Sequence, residues 1–210
     1  MKAGFSHEDR NSQNVDWYTP PWVFQRLGLD FDLDPCQPPD GIDWIPAKRR
    51  YSVHDDGLTQ PWSGRVWLNP PYGKHTPAWL ERMHNHRNGI ALVFARTDCA
   101  WFHESVAKAD AILFLRGRVK FVDGLGVTGG SGAGSGSMLV AWGRENVDAL
   151  LAMRDLGHLV HNERSTDASK SNEKDRRPEQ HDDDGQAISR EQGDVEATGR
   201  TRSQDCRELS

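Results

Sequence analysis

The sequence predicts an α/β fold built on an open, mostly parallel sheet with a closing antiparallel hairpin. Short apolar runs alternate with amphipathic stretches between residues 14 and 162. Two of those runs, Ile90 to Ala95 and Ala111 to Leu115, are continuously apolar, as strands covered on both faces are. Prolines and glycines fall where helices start and stop.

Thr19-Pro20-Pro21 reads as an N-cap and a proline-bearing first turn. It opens a helix through Trp22, Val23, Phe24 and Leu27 that stops near Gly28. Phe31-Asp32-Leu33-Asp34 alternates as a strand that ends at Pro35, and Val66-Trp67-Leu68 is the next strand. Thr76-Pro77 opens a second helix with Trp79, Leu80 and Met83 on one face. Ile90 to Ala95 follows as a strand, Trp101 to Lys108 as a helix and Ala111 to Leu115 as a strand. Val119 to Val122 and Met138 to Trp142 read as the closing pair, and Asn146 to Leu156 as a last helix capped near Gly157. The Gly/Ser-rich stretch Gly124 to Ser137 separates the closing pair. It lacks the Gly-Lys-Ser/Thr ending of a phosphate loop and reads as a flexible hairpin loop, with closure over a bound molecule left open.

The chain has 210 residues, enough for one ordinary domain, and a formal net charge of −5. From Arg164 to Ser210 there are 9 Lys+Arg against 12 Asp+Glu, which leaves 17 against 19 in the rest. A body so close to neutral has room for a local basic groove but shows no global basic footprint. Beyond Trp142 there is no aromatic residue, and from Arg164 onward there is little to bury. The expected division is therefore a compact domain over 14–162 and a disordered polar tail over 163–210. Three cysteines (Cys36, Cys99, Cys206) have neither metal spacing nor disulfide parity, so no metal site is expected. No apolar run is long enough to span a bilayer and the N-terminus has no signal-like core. A cytoplasmic protein without a membrane partner is the expectation.

Chemistry is expected at the carboxyl ends of the strands, where open α/β sheets bind their ligands. Asn69-Pro70-Pro71-Tyr72 follows the strand Val66-Trp67-Leu68 directly. The Asn amide oxygen and the Pro70 carbonyl are two acceptors for the two N–H donors of a planar exocyclic amine, and neither proline has an N–H to compete. The Tyr72 ring can stack on a base swung out of a duplex. Asp34-Pro35-Cys36 ends the first strand and offers a carboxylate to the ammonium or a hydroxyl of a cofactor such as S-adenosylmethionine. Asp56, in the acidic pair Asp55-Asp56, can accept from a cofactor's adenine or ribose; turn capping is the alternative role for each of these aspartates.

The chain resembles the phage-type DNA N6-adenine methyltransferase (Dam) family. The match runs through Trp17-Tyr18-Thr19-Pro20, Leu33-Asp34-Pro35-Cys36, Asp55-Asp56-Gly57-Leu58, Pro61-Trp62 and Val66 to Tyr72. It covers about residues 14–143. The resemblance implies a Rossmann-like methyltransferase sheet, S-adenosylmethionine as cofactor, DNA as partner, and Asn69, Pro70, Pro71 and Tyr72 as the adenine site. It places Trp17, Thr19, Asp34, Pro35, Cys36 and Asp56 on the cofactor side, with a packing Trp and a helix cap as the alternatives for Trp17 and Thr19. It also implies a phage or prophage origin, host-cell cytoplasm and a link to restriction-modification. One departure is the lack of any glycine between Asp34 and Gly41, where many such enzymes carry a Gly-rich turn.

Other readings stay open from sequence. Planar amides share adenine's donor geometry, so an RNA or a protein glutamine is an alternative substrate, and a catalytically silent DNA-binding relative is another. Pro35-Cys36 also spells the pair used for covalent cytosine-C5 chemistry, which needs a cysteine of lowered pKa. His84-Asn85-His86 reads as a solvated helix surface, and His75, Arg96, Arg116 and Arg118 as unspecific candidates for phosphate. Target sequence, strandedness and oligomeric state have no signature.

Overall fold

The computed structural model describes residues 18–37, 42–123, 125–127 and 134–162. Seven strands form one mixed sheet: β1 (Phe31–Asp34), β2 (Ala47–Arg50), β3 (Val66–Leu68), β4 (Gly89–Phe94), β5 (Ala111–Leu115), β6 (Ser137–Trp142) and β7 (Gly157–His161), in the order β2-β1-β3-β4-β6-β5-β7. The pairings β2–β1, β1–β3 and β3–β4 are parallel, and β4–β6, β6–β5 and β5–β7 are antiparallel. A parallel core with an antiparallel end is the arrangement of the S-adenosylmethionine methyltransferase fold.

Both faces are covered, which explains the unbroken apolar strands. Helices α1 (Pro21–Leu27) and α4 (Arg144–Ala152) pack with Phe31, Trp67, Ile90, Leu92, Leu113 and Leu139 on one side. Helices α2 (Thr76–His86) and α3 (Ala100–Glu104) pack with Leu33, Leu68, Val93, Val140 and Trp142 on the other. Alternate residues of β4 serve opposite faces, as the period-2 pleat requires. Phe31 and Leu33 break that parity. The backbone N–H groups of Asp32 and Leu33 both donate to the Arg65 carbonyl, at 2.7 and 3.2 Å, so β1 carries a bulge just before its functional end. At the centre of the first face Trp67 is fully buried, with its ring 4.7 Å from Phe24 and 5.5 Å from Phe31 in edge-to-face contacts.

Several elements differ from the sequence expectation. Val119 to Val122 is not a strand partner of β6; β6 lies between β4 and β5, and Val122 makes only an isolated bridge to Tyr18. The closing hairpin is therefore β5–β6. The helix expected over Trp101 to Lys108 breaks at Ser105 into α3 and a 3-10 turn, Val106–Lys108. The last helix stops at Ala152, and Gly157 opens β7 instead of capping it. A Cβ at Gly157 would lie 1.9 Å from the Phe114 carbonyl, so glycine there permits strand pairing at close approach. β2 and β7 carried no apolar alternation: β2 is Ala-Lys-Arg-Arg, with its three cations exposed on an edge. At α1, Pro20 occupies the N-cap position and no side chain caps the helix, while Gly28 closes it in the left-handed conformation. Half of Gly124 to Ser137 (124 and 128–133), and the tail from 163 onward, lie outside the described residues. Among the described residues no helix is long and apolar enough to cross a membrane.

Candidate active site

Three parallel strands end side by side, and the residues that follow them form the candidate site. β3 delivers Asn69 to Tyr72, β1 delivers Asp34 to Gln37, and β4 delivers Phe94. The first two are joined directly. The Cys36 thiol donates to the Asn69 backbone carbonyl at 3.1 Å, and the Cys36 N–H donates to Asp34 Oδ1 at 3.1 Å. A second clasp shapes the tetrapeptide from below: Thr76 Oγ1 donates to the Pro71 carbonyl at 3.2 Å and accepts from the Gly73 N–H at 3.1 Å. The Asn69 and Pro71 carbonyls are thus occupied. The Pro70 carbonyl accepts no hydrogen bond from the described residues, and Asn69 Oδ1 is buried without a partner. Buried acceptors are rarely left open unless something else fills them.

Tyr72 is 43% exposed, and its ring stacks on Phe94 with centroids 3.8 Å apart and planes 10° from parallel. One face of the tyrosine is therefore covered by protein. Desolvation, and then the neighbouring Cys36, hold its phenol above the ordinary range, so the ring stays neutral.

Asp34 is 3% exposed. Burial raises its carboxyl to about 7, against the lowering effect of the Cys36 N–H and, more weakly, the Arg50 charge. Burial, with Asp34 beside it, also pushes the Cys36 thiol well above its usual value. A neutral thiol that spends its proton on a carbonyl is the opposite of the activated thiolate that covalent cytosine chemistry demands.

The acidic turn is brought against the same place by packing. A Cβ on Gly57 would fall 1.8 Å from the Pro35 carbonyl, so the turn rests directly on the Asp34-Pro35 backbone. Asp55 is consumed locally, accepting from the Ser52 N–H at 2.8 Å and the Ser52 hydroxyl at 2.9 Å, bonds that lower its pKa. Asp56 is exposed at φ 53°, and its carboxylate makes no hydrogen bond or ion pair with the described residues. Thr19 is completely buried with Oγ1 unpartnered, while its carbonyl accepts from Trp44 Nε1 at 2.9 Å. Trp17 lies outside the described residues.

Sequence reading passed over three residues of this edge. Phe94 closes an apolar run and gave no polar signal. Gln37 is 4% exposed with both amide atoms unpartnered, and its position directly after Asp34-Pro35-Cys36 was the available clue. Ser137, the register partner of Phe94, is buried with a free hydroxyl at the start of β6. Thr19, Gln37 and Asn69 are polar, buried and unsatisfied, a donor set that fits a ligand rich in hydroxyl, amine and carboxylate groups. His84 and His86 sit on α2, where His86 Nε2 lies 2.8 Å from the Gly64 carbonyl in a structural contact. Among the described residues no group of three or more His, Cys, Asp or Glu could hold a metal ion.

The family model described as DNA N-6-adenine-methyltransferase (Dam) matches residues 6–164. No curated protein and no solved structure matches the chain.

Proposed function

The chain belongs to the DNA N-6-adenine-methyltransferase (Dam) family, whose members use S-adenosylmethionine to methylate adenine N6 in DNA, and on that premise we propose that Asn69, Pro70, Pro71 and Tyr72 hold the target adenine. The observation that carries the assignment is the pair of open acceptors, Asn69 Oδ1 and the Pro70 carbonyl, beside an exposed aromatic ring. The flipped base stacks on the face of Tyr72 opposite Phe94. Its two amino hydrogens are taken by the two acceptors, which turns the nitrogen lone pair out of conjugation and aims it across the site. Proline rigidity fixes both acceptors before the base arrives, so little reorganisation is left for the transition state.

On the cofactor side we assign Asp34, Pro35, Cys36, Thr19 and Asp56, with Trp17 joining them from the segment that precedes Tyr18. When bound, S-adenosylmethionine supplies a methyl made electrophilic by its sulfonium charge, so no metal is required. Asp34 and Asp56 would accept from its ammonium and hydroxyl groups, and the buried, unpartnered Thr19 hydroxyl would add a polar contact. Cys36 contributes through its backbone and its bond to Asn69 and takes no covalent part. The surplus proton that the adenine nitrogen would carry after accepting the methyl would pass to solvent, since the Asn69 amide and the Pro70 carbonyl are too weakly basic to keep it. Orientation of the two reactants accounts for much of the acceleration.

The catalytic unit is taken as residues 14–162. The setting that the resemblance implies is a phage or prophage genome in a host cytoplasm; protection from restriction and regulation are the two roles methylation would serve there, and restriction-enzyme resistance of DNA from cells expressing the protein tests the first.

Single-turnover methyl transfer separates the residue assignment from general damage. Asn69→Ala loses an acceptor and drops the rate on the order of 10²-fold or more, with cofactor affinity kept. Asn69→Asp keeps an acceptor oxygen and retains more activity than Ala. Equal rates for wild type and Asn69→Ala would remove Asn69 from the adenine site.

A further inference from the structure

We infer that Arg96, Arg116 and Lys120, on the loops that follow β4 and β5, form the contact surface for the DNA phosphate backbone. The inference rests on the reading of Asn69 to Tyr72 as the adenine site, and it begins from how the cations of this near-neutral body are distributed. Four ion pairs use up other cations: Arg26 with Asp155, which lies beside the start of β7 at the carboxyl edge, Lys48 with Asp32, Arg65 with Glu145 and Arg87 with Asp110. Arg65 and Arg87 immediately precede β3 and β4, so their pairs tie together the amino edge of the sheet.

The carboxyl edge is different. Lys74 follows Tyr72 by two residues, Arg96 follows Phe94 by two, and Arg116, Arg118 and Lys120 follow β5. All five are exposed. Lys74, Arg96, Arg116 and Lys120 make no ion pair with the described residues. The carboxylates on the same loops are Asp98 and Asp123, and Asp123 is occupied in accepting from the N–H groups of Leu125 and Val127 at 2.9 Å each.

The 116–122 loop is also built to present its charges. The Arg116 N–H donates to the Leu156 carbonyl at 2.8 Å, and Val122 exchanges two backbone bonds with Tyr18 at the other end. Val119 and Val122 are buried while Arg118 and Lys120 are exposed, so the loop is held by its apolar residues with its cations turned outward. Strand ends in one sheet are about 5 Å apart, which sets the ends of β3, β4 and β5, from which this arc of cations springs, within roughly 15 Å along one edge. The opposite half of the edge carries Asp34, Asp55 and Asp56, with Arg50 at the end of β2 beside them. The tetrapeptide therefore lies on a border, with acid toward a cationic cofactor and base toward a polyanion. Guanidinium groups suit phosphate through paired N–H donors, and free cations release condensed counterions on binding.

The test is duplex-DNA binding by fluorescence anisotropy across a salt series, for full-length wild type and Arg96→Ala, Arg116→Ala, Lys120→Ala and the triple variant. Arg26→Ala and Lys48→Ala serve as controls for bulk charge. Each arc variant is expected to weaken binding severalfold and to flatten the slope of log affinity against log salt by about 0.9, with effects accumulating in the triple variant. Calorimetric S-adenosylmethionine affinity stays unchanged, which shows the variants folded. A triple variant with wild-type slope and affinity overturns the inference, as do control variants that flatten the slope equally. Loss of the slope by the arc variants, together with no N6-methyladenine from wild type, keeps the arc and removes the adenine-site reading instead.

Discussion

The Cys36 thiol donates to the Asn69 backbone carbonyl at 3.1 Å, so the end of β1 and the end of β3 are joined by a single side-chain bond. Because the Cys36 N–H also donates to Asp34 Oδ1, a three-residue chain runs from Asp34, which we assign to the cofactor side, to Asn69, which we assign to the adenine. Cys36→Ala breaks the link and lowers kcat about fivefold, in proportion to one neutral hydrogen bond, with little change in cofactor affinity. Cys36→Ser keeps a donor and recovers most of the loss. Equal activity in the Ala and Ser variants contradicts a positioning role.

Asp34 makes both stability and cofactor binding depend on pH. Its folded-state pKa of about 7 lies above the unfolded value of 3.8, so the folded protein holds the proton more tightly. The stabilisation is complete below pH 3.8 and is lost as pH rises through about 7. Melting temperature of the cofactor-free protein should therefore carry a component that falls between about pH 4 and 7, absent in Asp34→Asn. Ammonium or hydroxyl donors favour the ionised carboxylate, so S-adenosylmethionine affinity rises over the same interval, with proton release measurable by calorimetry in buffers of different ionisation enthalpy. A flat affinity profile in the wild type argues against Asp34 facing the cofactor.

Gly57 cannot carry a side chain without moving Pro35. An alanine Cβ would sit 1.8 Å from a backbone oxygen, which no rotamer relieves. Gly57→Ala is expected to cost about 1–3 kcal/mol in denaturant unfolding and to weaken cofactor binding more than it weakens DNA binding. Normal cofactor affinity in a folded Gly57→Ala protein separates the acidic turn from the cofactor site.

Phe94 covers one face of Tyr72, and Phe94→Ala leaves that ring without support. A stacked pair contributes about 0.5–1.5 kcal/mol beyond burial, so kcat is expected to fall up to about tenfold. Phe94→Tyr preserves the stack and the rate. An Ala variant as active as wild type shows that the tyrosine needs no backing.

The sequence made the core strands and the tetrapeptide legible because both depend on local pattern. Gly89–Phe94 and Ala111–Leu115 are nearly uninterrupted apolar runs, and Asn69 to Tyr72 joins four chemically distinctive residues. Edge strands escaped notice for a physical reason: Ala47–Arg50 and Gly157–His161 have little apolar surface to bury, and their pairing is specified by neighbours. Val119 to Val122 read as a strand because it is rich in apolar residues; Val122 is buried against Tyr18 in an isolated bridge, without a ladder beside it. The pairing of Tyr72 with Phe94, and of Gly57 with Pro35, joins residues more than twenty positions apart. No local periodicity encodes such contacts.

The central claim is tested most directly by methyl transfer from labelled S-adenosylmethionine to unmethylated duplex DNA, followed by nucleoside digestion and mass spectrometry. Wild-type protein is expected to give N6-methyladenine, and Asn69→Ala with intact cofactor binding to give almost none. C5-methylcytosine as the product, or N6-methyladenine at the same rate from both proteins, would contradict the account.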